Sequence, residues 1–241
     1  MKYLDVGVNK MKIISSTGGG GSSFVADQFQ TNKWVVCLRP DGGRQKATHT
    51  VKQVFLERTR PYFYIDVEDG KYSQRELFQI TYEKLNALRW PNLMLLCMSW
   101  GGMGYLNDLE EKTIFLLRDP IFAFTSYSGG GWRKEGGARR IKYIGATGPN
   151  DKKWIDVFLG DFSMWLDGAK NALKAYESGS GHIVRYHNFV EDWQKIDGVP
   201  PVHENFDSKD DYKKLEGFLT EETIDYIKEK TNDVWDKIKQ I

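Results

Sequence analysis

The stretch KIISSTGGGGSSFVADQF, Lys12 to Phe29, decides how the rest of the chain is read. A short strand pattern, Lys12–Ser16, runs into four consecutive glycines, and a helix-like run begins at a serine pair. Glycines permit positive φ and close backbone approach, so successive N–H groups can converge on phosphate oxygens. Ser22 and Ser23 would add hydroxyl donors at the positive end of the helix that follows. The Walker pattern requires a lysine just before the last hydroxyl residue. Here the serine pair follows Gly21 directly, so an ordinary ATPase or GTPase is not expected. Taken alone, the loop is equally a flexible turn or a ligand cradle.

Working outward, Val36–Leu38, Phe63–Val67, Leu93–Met98, Thr113–Leu117 and His182–Tyr186 read as further short apolar strands. Helical spacing lies between several of them, over Gln74–Ala87, Trp154–Ala175 and Phe189–Lys195. Strands alternating with helices predict an α/β fold with a central, mostly parallel sheet. Such sheets gather their ligands at the carboxyl ends of the strands. Near the C-terminus, Ile224, Ile227, Thr231, Val234, Trp235 and Ile238 share one helical face, with Thr220 as the N-cap. No repeat or linker divides the chain, so 1–241 is expected to form one domain.

Charged residues make up 28% of the 241, yet the formal net charge is only +1, which argues against a general nucleic-acid binder. The expected partner is a discrete ligand at a local site. Cys37 and Cys97 sit in apolar strand-like settings and read as core thiols of a reducing compartment. The longest apolar run, Leu93–Met98, is too short to span a bilayer, and MKYLDVGVNKMK has no apolar signal core. A soluble, cytoplasmic protein without membrane attachment is expected.

A second element carries chemistry: KTIFLLRDPIFAFTSY, Lys112 to Tyr127. An apolar strand ends in Arg118, Asp119 and Pro120, and Ser126 follows eight residues after the arginine. Pro120 suits the first position of a helix, where its missing N–H costs nothing. Arg118 then stands at a strand's carboxyl end, where its fork can either grip a phosphate or pair with an acid such as Asp119.

Together these elements resemble the sulfotransferases that use 3′-phosphoadenosine 5′-phosphosulfate. STGGGGSSF is similar to that family's first loop through Thr17, Gly21, Ser22 and Ser23. Arg118, Asp119, Pro120 and Ser126 match its R-[DN]-P segment with the later serine. HIVRYHNFVEDW, His182 to Trp193, resembles its strand-plus-turn, with Tyr186 at the tyrosine position and His187 and Asn188 in place of the usual Glu-Asp. The closing GFLTEETIDYIKEKTNDVWDKI resembles its last helix.

The resemblance implies a three-layer fold of the P-loop nucleotide-binding type, with the phosphosulfate nucleotide as donor and adenosine 3′,5′-bisphosphate as product. Thr17, Gly18, Gly19, Gly20, Gly21, Ser22 and Ser23 would bind the 5′-phosphosulfate. Arg118 and Ser126 would bind the 3′-phosphate, and Tyr186 would lie near the adenine. The acceptor would be a small molecule or carbohydrate, with no metal required.

One departure concerns the chemistry. The family's loop usually carries a cation where this chain has Gly19, and Lys12, Lys33, Arg44 and the basic residues of the 126–140 segment are candidates to replace it. That segment, SYSGGGWRKEGGARR, reads either as a mobile lid or as a surface loop. Among the four histidines, His49 is the candidate general base, with Asp41 and Glu57 as competitors. Trp100, Tyr105, Trp132 and Trp154 read either as an aromatic acceptor pocket or as core. Two other classes stay open: a P-loop phosphotransferase, and a non-catalytic relative that binds the nucleotide.

Overall fold

The structure, a computed structural model, describes residues 11–17, 19–31, 35–38, 48–51, 63–66, 79, 83, 93–98, 112–133, 144–161, 165–202 and 218–241. The chain forms β1 (Met11–Ser16), α1 (Ser22–Thr31), β2 (Val35–Leu38), β3 (Thr48–Val51), β4 (Phe63–Asp66), β5 (Leu93–Met98) and β6 (Thr113–Leu117). Then follow α2 (Pro120–Arg133), α3 (Lys152–Asp156), a π-helical turn (Val157–Asp161) and α4 (Trp165–Glu177). Last come β7 (Gly181–Arg185), a 3₁₀ turn (Tyr186–Asn188), α5 (Phe189–Gln194) and α6 (Glu221–Lys239).

Five strands build one parallel sheet in the order β2-β5-β1-β6-β7. The α/β class and the parallel sheet read from the alternating pattern are therefore present. From β1 the chain steps outward to β2 and returns through β5, whereas β6 and β7 build the opposite side. Right-handed crossovers that move in opposite directions put their helices on opposite faces. The packing agrees with that rule. Ile14, Ile114, Leu116 and Val184 pack with Val25 and Phe29 of α1 and Phe189 and Trp193 of α5. Phe115, Leu117 and Ile183 pack instead with α2, α3, α4 and α6. The register sets Phe115 beside Ile183 and Leu116 beside Val184, so each face keeps its own apolar row.

Three expectations change. Phe63–Val67 supplies a strand, but β4 pairs antiparallel with β3, outside the five-stranded sheet. Its partner THTV is too polar and too short to stand out from sequence.

Trp154–Ala175 is not one regular helix: α3 gives way to the π-helical turn, and α4 begins at Trp165. Val157, Phe158 and Leu159 are consecutive and all buried, which a widened turn accommodates better than a 3.6-residue period.

The glycine-rich stretch from Ser126 to Arg133 is the second half of α2, not loop. Trp154 Nε1 donates to the buried Ser128 Oγ at 2.9 Å, and Trp154 stacks on Tyr127 at 5.5 Å. That packing outweighs the poor helix propensity of glycine. The rest of the lid candidate, 134–140, lies outside the described residues.

Among the described residues no helix is long and apolar enough to cross a membrane. The expected N-cap is present, since Thr220 Oγ1 accepts from Thr223 N at 3.2 Å.

Candidate anion-binding site at the carboxyl edge of the sheet

Because the five strands are parallel, the segments that leave β1, β6 and β7 emerge at one edge. The strand order reverses between β1 and β6, and a crevice outside such a reversal is where open α/β sheets hold ligands. The topology therefore brings the glycine loop, Arg118 and Tyr186 together, although the sequence separates them widely.

The loop begins with a turn in which Gly20 N donates to Thr17 O at 3.0 Å. Gly19 and Gly21 have φ of 75° and 91°, a region side chains rarely adopt. Space excludes a side chain at both positions as well. A Cβ on Gly19 would lie 2.1 Å from Ala123 O, and one on Gly21 would lie 2.3 Å from the Tyr186 ring. These glycines let the loop press against α2 on one side and Tyr186 on the other. Thr17 is 3% exposed, and its Oγ1 has no hydrogen-bond partner among the described residues. Such a buried hydroxyl is costly unless something else completes it.

Arg118 closes the site from the neighbouring strand. Its Nη1 donates to Gly19 O at 3.2 Å, and its guanidinium carbon lies 4.6 Å from the centre of the Tyr186 ring. Phe122 offers a second ring at 5.9 Å. The buried Trp165 donates from Nε1 to Arg118 O at 3.2 Å, which fixes the main chain at this point. Asp119 caps α2: its Oδ1 accepts from Ile121 N at 2.9 Å and from Phe122 N at 3.5 Å. Pro120 is the first residue of α2, as the sequence suggested. Ser126 is exposed, one helical turn beyond Phe122 and Ala123. Ser22 opens α1 directly after the loop, and Ser23 follows it. Gly18 lies outside the described residues.

Tyr186 is positioned by a group that sequence reasoning passed over. Arg185, buried at the end of β7, donates from Nε and Nη2 to the two carboxylate oxygens of Asp192, each at 2.8 Å. Its main-chain N also donates to Asp192 at 2.9 Å, and Nη1 donates to Lys239 O at 3.1 Å. Burial pushes the Asp192 carboxyl up, but the hydrogen bonds and charge of Arg185 outweigh it and hold the group below the usual carboxylate range. The pair ties β7, α5 and the end of α6 together immediately before Tyr186. A seven-residue Arg–Asp spacing across a turn has no sequence signal of its own.

Other candidates fall elsewhere. Lys12 is the second residue of β1, at the opposite edge, where its Nζ donates to Asp197 O at 2.7 Å, so it does not replace a loop cation. Trp154 is buried in α3, which makes it core and not acceptor pocket. His49 lies in β3 opposite Ile65, in the separate antiparallel pair. His182 is the second residue of β7, at the edge away from the loop. Asp41, Glu57, Lys33, Arg44, Trp100 and Tyr105 lie outside the described residues. No group of three metal-ligating side chains occurs among the described residues. No family model, curated protein or solved structure matches this chain.

Proposed function

We propose that this chain is a cytoplasmic sulfotransferase with a P-loop-type nucleotide site. Its donor is 3′-phosphoadenosine 5′-phosphosulfate, its product adenosine 3′,5′-bisphosphate, and its acceptor a hydroxyl or amine of a small molecule or carbohydrate. The observation that carries the reading is the 3.2 Å contact from Arg118 to Gly19 O, with Tyr186 against both partners' segments. Three segments that separately resemble one family meet at the point where the strand order reverses. The residues also suit an anionic ligand: two glycine positions that admit no Cβ, a buried threonine hydroxyl and an adjacent guanidinium.

When bound, the donor supplies a sulfuryl group, whose bond to the bridging oxygen breaks as a bond to the acceptor forms. The loop's backbone and the hydroxyls of Thr17 and Ser22 stabilise the anionic 5′ end. Arg118 and Ser126 hold the 3′-phosphate, and Tyr186 lies on the adenine side. The acceptor's proton passes to a general base, for which His49 and Asp41 are the candidates, His49 standing in the β3–β4 pair and not in the five-stranded sheet.

Calorimetric titration with adenosine 3′,5′-bisphosphate tests the reading. Wild type binds with a dissociation constant on the order of micromolar, and Arg118→Ala weakens it at least about tenfold, because a charge-assisted contact is lost. Wild type that does not bind sinks the proposal. Thermal stabilisation by ATP with magnesium, and none by the bisphosphate, points to a phosphotransferase. Tight binding with no acceptor ever sulfated points to a non-catalytic relative.

A further inference from the structure

The stretch from Thr17 to Ser23 contains no cationic side chain, and Gly19 accounts for part of this. Its φ of 75° disfavours any side chain, and a Cβ would collide with the carbonyl of Ala123. That carbonyl belongs to a well-held turn. Ala123 N donates to Asp119 O at 2.8 Å, Asp119 caps the helix, and Ile121, Phe122 and Ala123 are all buried. A lysine at position 19 would have to displace the start of α2. Yet a cation does reach this point of the loop, supplied by the adjacent strand: the Arg118 guanidinium, bonded to Gly19 O.

We propose that Arg118 is the cation of the phosphosulfate loop itself, facing the 5′ group across Gly19 and offsetting charge on the bridging oxygen. The inference rests on the sulfotransferase reading and adds a role beyond the 3′-phosphate contact that the resemblance implies. As sulfur leaves, the electron pair of the broken bond stays on the bridging oxygen, which becomes a terminal oxygen of the 5′-phosphate. The acceptor's new bond to sulfur releases its proton to the base. Arg118 stabilises the developing charge by donating hydrogen bonds. It has five N–H donors, so a bond to Gly19 O is compatible with contacts to an anion. The Tyr186 and Phe122 rings limit its swing, and Trp165 fixes its main chain. A cation held in this way is preorganised, so little rearrangement opposes its action.

The test uses adenosine 5′-phosphosulfate, which lacks the 3′-phosphate, alongside adenosine 3′,5′-bisphosphate. Both are titrated calorimetrically into wild type, Arg118→Ala, Arg118→Lys and the double variant Gly19→Lys/Arg118→Ala. The expected result is a loss of at least about tenfold in affinity for the 5′-phosphosulfate in Arg118→Ala, partial recovery in Arg118→Lys, and none in the double variant. If Arg118→Ala binds the 5′-phosphosulfate as wild type does and loses only the bisphosphate, Arg118 serves the 3′ end alone and the inference is overturned. Restoration by lysine at position 19 would support the need for a cation at this point of the loop and refute only the steric exclusion of a side chain there. Wild type that binds neither nucleotide overturns the sulfotransferase reading instead. Thermal melting checks that each variant is folded, and Arg118→Gln replaces Arg118→Ala in the comparison if the alanine variant does not fold.

Discussion

Replacing Gly19 by alanine perturbs the loop where it is tightest, and the cost can be worked from two separate causes. The first is conformational: an alanine held at φ of 75° carries about 1–2 kcal/mol of left-handed strain. The second is steric: the new Cβ would lie 2.1 Å from Ala123 O, about 1.3 Å short of the 3.4 Å at which ordinary contact begins. That neighbour is backbone in a capped turn and cannot rotate away, so relief requires α2 or the loop to shift, at about 1–3 kcal/mol.

Gly179 provides the control, with φ of 72° and nothing within 4 Å of its Cβ position. Gly179→Ala carries the strain without the collision. Urea denaturation of the two variants should therefore differ by about 2 kcal/mol, or roughly 1 M in midpoint at a slope of about 2 kcal/mol per M. Equal midpoints would show that Gly19 is not pressed against α2 and would remove the geometric basis for the loop's lack of a side-chain cation.

Asp192→Asn should destabilise the protein by about 3 kcal/mol in the same assay, because Arg185 is left as an uncompensated buried charge. The wild-type carboxylate is held below its ordinary value of 3.8, so its contribution is present above that pH and lost as pH falls through the folded-state value; acid titration of the variant should lack this component. His182 is lowered from 6.5, by burial first and then by Lys112 and Lys12, with Asp197 opposing. Its neutral form is thus favoured by folding, stability falls as pH drops below 6.5 toward the lower folded-state value, and His182→Gln should lose less stability than wild type over that descent. Thr220→Ala removes the acceptor for Thr223 N and should cost about 1 kcal/mol in thermal or urea unfolding.

Local pattern determined much of this chain by itself. The apolar runs at Leu93–Met98 and Thr113–Leu117 became β5 and β6 with the expected bounds, and β6, buried along its whole length, shows why such a strand must be nearly all apolar. Thr220 and Pro120 announced their helices, since starting a helix is a short-range matter of one side chain and a few N–H groups. The glycine run announced a loop needing close backbone approach. What the glycines approach was decided only by the tertiary structure.

Gly19 faces a carbonyl 104 positions further on, and Gly21 faces a ring 165 positions further on, through strand order alone. Three other outcomes were equally non-local. Ser126 to Arg133 became helix because Trp154 reached Ser128, Lys12 was placed at the far edge by the direction of β1, and Arg185 found Asp192 across a turn. The missing loop cation has the same kind of answer. In sequence Gly19 has no charge near it; in the fold, a parallel strand next to β1 delivers Arg118 to its carbonyl.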